Sequence, residues 1–240
     1  MSRYGQRTRL TNAASSSTVA NWLGNQYIDT YIRAYGVTTP PVAWYEANDL
    51  SSATTGTIWT NKASPNPGAV VANMTATQNG TLTSSWRNGQ KALSGFEFKA
   101  NITSETGLSQ GGNFTMITVA QTDGSGFGPF FGVGEWWGNY SQAYGGYYWH
   151  GLYGNWGHYT ASPAVVGHRH SSGSGSLTVF SNGSYSSDSP GSTPDTTPYI
   201  ATSSGSANAD YIAEVLIFNT FLSDTDITTI TSGLRTKYSF

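Results

Sequence analysis

The stretch Tyr211-Ile-Ala-Glu-Val-Leu-Ile-Phe-Asn-Thr-Phe221 constrains the architecture more than any other. It is rich in β-branched and aromatic residues and contains neither Gly nor Pro, which predicts one long strand. Strict alternation puts Tyr211, Ala213, Val215 and Ile217 on one face, and Ile212, Glu214, Leu216 and Phe218 on the other. Both faces are mostly apolar, so the strand is expected to be central and covered on both sides. A helix start follows. Ser223 is the N-cap, Asp226 holds the capping-box position, and Ile227, Ile230, Leu234 and Tyr238 recur at helical spacing.

From residue 42 onward the pattern is short strands separated by turns. Strands are expected over 42–46, 57–60, 69–73, 92–98, 114–122, 128–135, 143–150, 164–170, 176–181, 198–202 and 211–220. Asn66-Pro67, Asn79-Gly80, Asn88-Gly89, Gly111-Gly112, Gly124-Ser-Gly126 and Asn182-Gly183 supply the turn signals. Segments 171–176 and 184–197 are rich in Ser, Gly and Pro and read as surface loops. The result is an all-β class: a two-sheet antiparallel jelly-roll sandwich with an N-terminal helix and a short C-terminal helix.

The N-terminal helix is expected over residues 18–35. Val19, Leu23, Tyr27 and Tyr31 fall every fourth residue, and Trp22, Ile28, Ile32 and Tyr35 widen the stripe. Ser17 caps its start, Gly36 ends it, and Thr38-Thr-Pro-Pro41 forms a stiff linker. The chain therefore divides into an arm, helix and linker over 1–41 and a sandwich over 42–240. The stripe of Trp22, Leu23, Tyr27 and Tyr31 needs cover, from the chain's own sandwich or from a neighbouring subunit. Arg3, Arg7 and Arg9 make the arm basic, which suits a solvated tail or a grip on an acidic neighbour.

Composition narrows the function classes. Charged residues are 10% of the 240, against about a quarter in ordinary globular chains, while aromatics reach 14%. That balance argues against disorder. A net charge of −2 gives no reason to expect a nucleic-acid partner. With no cysteine, disulfides, thiolate metal sites and cysteine nucleophiles are all excluded. No secretory signal follows Met1, and no apolar run is long enough to span a membrane. A virion or extracellular-surface location reached without such a signal is the expectation.

Two segments carry a family resemblance. Tyr211–Phe221 followed by Leu-Ser-Asp is similar to the closing strand and helix of laminin-G-like domains, in the concanavalin A-like lectin/glucanase superfamily. Val42-Ala-Trp-Tyr-Glu-Ala-Asn-Asp-Leu-Ser51 resembles that family's opening strand and turn. Phe114–Ala120 and Leu177–Gly183 fall where such domains place a core strand and an Asn-Gly hairpin. The resemblance implies a sandwich over 42–240, but the superfamily spans lectins, glycosidases, adhesion modules and viral coat parts.

The densest unusual region is 127–159, where aromatic residues alternate with glycines. Aromatic rings with polar edges suit sugar rings, subunit interfaces and cores alike. Trp136, Trp137, Tyr140, Trp149 and Trp156 are the glycan-binding candidates, and alternation pairs Tyr147 with Trp149 on one face. His150, His158, His168 and His170 raise a metal reading, but spacing offers no third ligand and no metal site is expected. Retaining glucanases of the superfamily carry E-x-D-x-x-E on one strand, which sets two carboxyls about 5 Å apart. No such motif occurs here. Glu135 stands alone, Glu46 and Asp49 belong to the opening turn, and Glu214 is isolated on the closing strand. Asp224 and Asp226 read as acids at a helix N-terminus. The resemblance leaves calcium open, with Asp123, Asp188, Asp195 and Asp210 scattered and without a spacing signature. Otherwise no cofactor is expected. The Asn-x-Ser/Thr sites at Asn73, Asn79, Asn101, Asn113, Asn139 and Asn182 are no more than this composition yields by chance.

The expected function is non-enzymatic. It is that of a surface component of a larger assembly such as a phage or virus particle (a decoration, fibre or coat protein), whose partners are copies of itself or other assembly proteins. The alternative is a carbohydrate-binding lectin module that holds polysaccharide through the aromatics of 127–159, and a glycoside hydrolase is third.

Overall fold

The computed structural model describes residues 35–63, 73–95, 97–101, 113–121, 128–133, 137–141, 146–149, 152–155, 162–171, 177–188, 199–203 and 211–240. Two antiparallel sheets form the sandwich. Sheet one contains β1 (Ala43–Glu46), β4 (Thr81–Arg87), β5 (Gln90–Ser94), β7 (Phe114–Gln121), β12 (Ala164–His170), β13 (Leu177–Ser181), β14 (Ser184–Asp188) and β16 (Tyr211–Phe218). Its order is β14-β13-β12-β7-β16-β5-β4, and β1 also pairs with β16. Sheet two contains β2 (Ile58–Trp59), β3 (Met74–Gln78), β6 (Glu97–Asn101), β8 (Gly128–Val133), β9 (Trp137–Ser141), β10 (Gly146–Trp149), β11 (Leu152–Asn155) and β15 (Tyr199–Ser203). Its order is β11-β10-β9-β8-β15-β6-β3-β2. The helix α1 spans Asp224–Tyr238.

The expected central strand is β16, which pairs with β7 along its length and with β1 and β5 on its other side. It is covered on both faces. Tyr45, Met116, Ala120, Val215 and Ile217 join Trp59 and Met74 of sheet two in the core between the sheets. Trp44, Ile117, Val119, Leu216 and Phe218 form a second core with Ile227, Ile230, Leu234 and Tyr238 of α1. Three layers result, helix on sheet on sheet. Sheet one is the middle layer, which is why both of its faces are apolar.

One correction concerns the alternation along β16. The register shifts between Ile212 and Glu214, so Ala213 is the extra residue of a β-bulge. Ile212 therefore joins Val215 and Ile217 between the sheets, while Ala213 joins Leu216 and Phe218 under the helix. The strand expected over 92–98 is also two strands. β5 and β6 belong to different sheets, and Gly95 between them takes a φ of +59°, which favours glycine. β14 forms in a segment expected to be a surface loop, β4 forms where no strand was expected, and β9 and β11 flank the aromatic strand that was foreseen. The Asn-Gly turns do close hairpins. Asn88-Gly89 joins β4 to β5 and Asn182-Gly183 joins β13 to β14, each with both residues at positive φ.

Residues 18–34 of the expected N-terminal helix lie outside the described residues. Tyr35 and Val37 are 3% exposed and pack in the helix-side core, and Gly36 has a φ of +69°. The segment leading into β1 is thus packed onto the sandwich. At the other end, Ser223 Oγ accepts from Asp226 N–H at 3.1 Å and caps α1 as its sequence predicts. Arg169 of β12 donates to Leu222 O and pairs with Asp224, which ties the helix start to sheet one.

Two substitutions test this layering. Leu234→Ala, at a position 1% exposed, should cost about 2–5 kcal/mol in urea unfolding. An unchanged midpoint would make α1 peripheral. Gly167→Ala should cost about 1–3 kcal/mol, because an added Cβ would stand against the Met116 carbonyl and the Phe180 ring. A neutral result would mean that Phe180 does not lie over Gly167.

Candidate functional site

Three regions are candidates for function: the aromatic strands of sheet two, a buried charge cluster, and a polar groove beside α1. Strands β8 to β11 are successive neighbours at one end of sheet two, each paired antiparallel with the next. In their register Tyr147 opposes Asn139 and Trp149 opposes Leu152. Trp137, Tyr147 and Trp149 therefore occupy register positions of one parity, and Tyr140, Tyr148 and Tyr153 those of the other. Of the glycan candidates, Trp137 and Trp149 thus share a parity on two adjacent strands, and Tyr140, on the same strand as Trp137, has the other. Trp136 and Trp156 lie outside the described residues, as do Glu135, His150, His158 and the stripe of Trp22, Leu23, Tyr27 and Tyr31.

The charge cluster lies under α1. Glu46 and Glu214 oppose each other across β1 and β16, a like-charged pair that needs cations between its members. Lys237, near the end of α1, supplies one, with its Nζ 2.7 Å from Glu46 Oε1 and 2.7 Å from Glu214 Oε2. Lys62 supplies another, 2.6 Å from Glu46 Oε2, and its Nζ lies 4.4 Å above the Trp44 ring. Glu214 is fully buried. Its Oε1 accepts from Tyr35 Oη–H and from Trp44 Nε1–H at 2.7 Å, and its Oε2 also accepts from Tyr238 Oη–H at 2.9 Å. With Lys237, that makes four donors on a carboxylate with about four lone-pair sites. Asn61, also fully buried, caps the adjoining loop: its Oδ1 accepts from the N–H groups of Trp44 and Ala63, both at 2.9 Å.

The electrostatics follow from burial set against these partners. Burial works to raise the Glu46 carboxyl, but Lys237 and Lys62 outweigh it and hold it at about 2, below its ordinary 4.5. Burial works to lower Lys237, and Glu214 and Glu46 reverse this so that its ammonium is held above the ordinary range. Burial, and then the charge of Glu214, pushes the Tyr35 and Tyr238 hydroxyls well up. Burial also raises Asp49, against the pull of Lys62, which lies 3.5 Å away. The cluster is therefore a zwitterionic latch between β1, β16 and α1. Glu214 is fully buried, and its lone pairs are taken up by these four donors.

The sequence reading assigned Glu46 to the opening turn and left Glu214 isolated, and missed that β1–β16 pairing sets them face to face. The aromatic helix ending, Lys237-Tyr238, was the available signal. His168 is buried, with its ring 5.4 Å from Phe114, and belongs to the core. Among the described residues no group of three or more His, Cys, Asp or Glu could hold a metal ion, and no helix is long and apolar enough to cross a membrane. Of the calcium candidates, Asp123, Asp195 and Asp210 lie outside the described residues. The groove, of about 530 Å³, runs between the C-terminal half of α1 and the Asn182-Gly183 turn.

Glu46 gives the pH prediction. Its folded value lies below its ordinary one, so its stabilisation is present above pH 4.5 and is lost as pH falls towards about 2. The loss should amount to roughly 3 kcal/mol. Glu46→Gln should flatten that acid limb in urea melts across this range, and an identical limb in both proteins would rule out the latch. Tyr35→Phe should cost about 1.5–3 kcal/mol at neutral pH, since it removes one donor to a buried carboxylate.

No protein-family model matches this sequence, and no curated protein resembles it. Its likeness is to solved structures. The binding domain of botulinum neurotoxin serotype D matches with a TM-score of 0.58 at 12% identity, covering 81% of this chain and 52% of that one. Trypanosoma rangeli sialidase in complex with sialic acid matches with a TM-score of 0.60 at 11% identity, covering 93% of this chain and 39% of that one. The binding domain of botulinum neurotoxin DC in complex with rat synaptotagmin II gives a TM-score of 0.57 at 10% identity, with coverages of 81% and 52%. The chain spans about half or less of the length of these neighbours, and what it shares with them is the β-sandwich fold.

Proposed function

We propose that the chain is a non-catalytic carbohydrate-binding β-sandwich, with the β8–β11 strands as its sugar platform. The observation that carries this is the gathering of Trp137, Tyr147 and Trp149 at register positions of one parity on two adjacent strands. Aromatic rings in line across a sheet offer apolar surface for the C–H faces of successive sugar units. One structural neighbour is a sialidase bound to sialic acid and another is a toxin binding domain, so this fold recurs in proteins that engage glycans or receptors. Placement within the laminin-G-like branch of the concanavalin A-like superfamily is part of the proposal. It is supported by the direct pairing of the two resembling segments as β1 and β16. The latch around Glu214 supports the non-catalytic reading, because the facing carboxylates Glu46 and Glu214 are bridged by Lys237 and leave no room for a glycosidic bond between them.

The second reading is a surface component of a larger assembly, such as a decoration, fibre or coat protein of a phage or virus particle. Residues 1–34 would attach it, through Trp22, Leu23, Tyr27 and Tyr31. A chain beginning at residue 35 keeps Tyr35 and Val37 in the core. If the assembly reading holds, that truncation stays folded but loses the mass of the full chain's oligomer in light scattering. The same number of protomers per particle in both would sink it.

For the carbohydrate reading, Trp137→Ala and Trp149→Ala should each weaken retention on insoluble polysaccharide about ten-fold and leave the melting temperature within a degree or two. Unaltered retention, or a collapse of the melting temperature, would overturn the platform. No product should be released from laminarin or other β-glucans. Release that disappears in Glu135→Gln would instead establish a glycoside hydrolase.

A further inference from the structure

We infer a second ligand site, for a single sugar unit, in the groove between α1 and the β13–β14 turn. It lies on the helix side of sheet one, whereas the aromatic platform belongs to sheet two, so it goes beyond that reading and stands independently of it. The groove holds about 530 Å³, within the roughly 300–1,000 Å³ of small-molecule sites. Asn182, Thr231, Ser232, Arg235, Ser239 and Phe240 are among its lining residues, and no carboxylate side chain of the described residues lines it.

The groove is built from groups that are already held in place. Asn182 sits at a φ of +47° in the hairpin turn, its N–H donating to Val165 O at 2.8 Å and its Oδ1 accepting from Val165 N–H at 3.0 Å. That fixes the amide and leaves its Nδ2 as a donor. Arg235 Nε–H donates to Phe240 O at 3.1 Å, which orients the guanidinium and leaves its two terminal nitrogens for a ligand. Ser239 takes the left-handed conformation that ends the helix, φ 55° and ψ 58°.

Thr231 points to a ligand rather than to a mere surface depression. It lines the groove, is only 3% exposed, and its Oγ1 has no hydrogen-bond partner. Natural structures rarely leave a buried hydroxyl unpaired; this one has almost no accessible surface where it stands, and a turn about χ1 towards a ligand hydroxyl in the groove would remove the penalty. Donors from Asn182 and Arg235, the hydroxyls of Ser232 and Ser239, and the apolar half-buried Phe240 ring together suit a pyranose. Such a ring offers hydroxyls that both donate and accept, together with a C–H face for an aromatic wall.

The test uses the full chain and ligand-observed NMR with the methyl glycosides of glucose, galactose, N-acetylglucosamine and glucuronic acid. At least one should bind at millimolar concentration. Thr231→Val keeps the shape and removes the unpaired hydroxyl, so it should weaken that glycoside about three- to ten-fold while holding or raising the melting temperature. Arg235→Gln, at an exposed position, should weaken it to a similar extent. Polysaccharide retention left unchanged in Thr231→Val and Arg235→Gln separates the groove from the platform. Binding of none of the four, or affinity unaltered in both Thr231→Val and Arg235→Gln, overturns the site. Retention of polysaccharide unaffected by Trp137→Ala would remove the platform alone.

Discussion

The Glu214 carboxylate is the interaction on which the rest of the structure depends. It is fully buried, and an ionised group there is tolerable only if every lone pair is met. Its four donors come from three places: Tyr35 ahead of the first strand, Trp44 on β1, and Lys237 and Tyr238 at the end of α1. Residues at both ends of the described chain are thereby fixed to the middle of sheet one. Removing any one donor leaves the charge under-satisfied, so these elements are coupled more tightly than their apolar contacts alone would make them.

The bulge at Ala213 makes this arrangement possible. Without the extra residue, Ile212 and Glu214 would share a face, and Ile212 would enter the helix-side layer in place of the core between the sheets. With it, Ile212 meets the inter-sheet core and Ala213 and Glu214 both turn towards α1. Ala213 packs in the helix-side core with Tyr238, and Trp86 and Tyr211 pack against that core. These three rings close that end of the layer, with Trp86 stacked on Tyr211 at 5.9 Å and edge-on to Tyr238 at 6.0 Å.

The legible parts of the sequence were those where a local pattern and its tertiary setting agree. β16, the apolar stripe of α1, the Ser223 cap and the Asn-Gly turns declared themselves, because strand propensity, helical spacing and left-handed turn residues are local properties. β4 and β14 did not, because Thr81–Arg87 and Ser184–Asp188 are polar and owe their strand state to a hairpin partner. The bulge has no composition signal at Ala213. The candidate site was legible only in part. Trp137, Tyr140 and Trp149 were named from aromatic density, and only the register shows that Trp137 and Trp149 share a parity on neighbouring strands while Tyr140 takes the other. The Glu46–Glu214 pair is separated by most of the chain, so no spacing rule could have joined its members. The groove is equally non-local, since Asn182 and Arg235 meet only once β13, β14 and α1 are packed.

The placement of charge suggests what the latch does. The chain has few charged residues, yet Glu46, Asp49, Lys62, Glu214 and Lys237 are concentrated in one place. Buried ion pairs gain little net stability over well-packed apolar groups, because desolvation offsets their attraction. They do discriminate between alternatives. A one-residue slip of β1 against β16 would turn Glu46 into the core between the sheets and take it away from Lys237 and Lys62, leaving a buried carboxylate without a cation. Apolar residues at the same positions would tolerate that slip at much lower cost. The cluster therefore acts on register more than on stability. With β1 fixed on β16, and α1 fixed on both, the helix and the Asn182-Gly183 turn are held at the separation that forms the groove. The two carboxylates that set the geometry, Glu46 and Glu214, are buried, and the groove beside α1 is lined by amide and hydroxyl groups together with the Arg235 guanidinium.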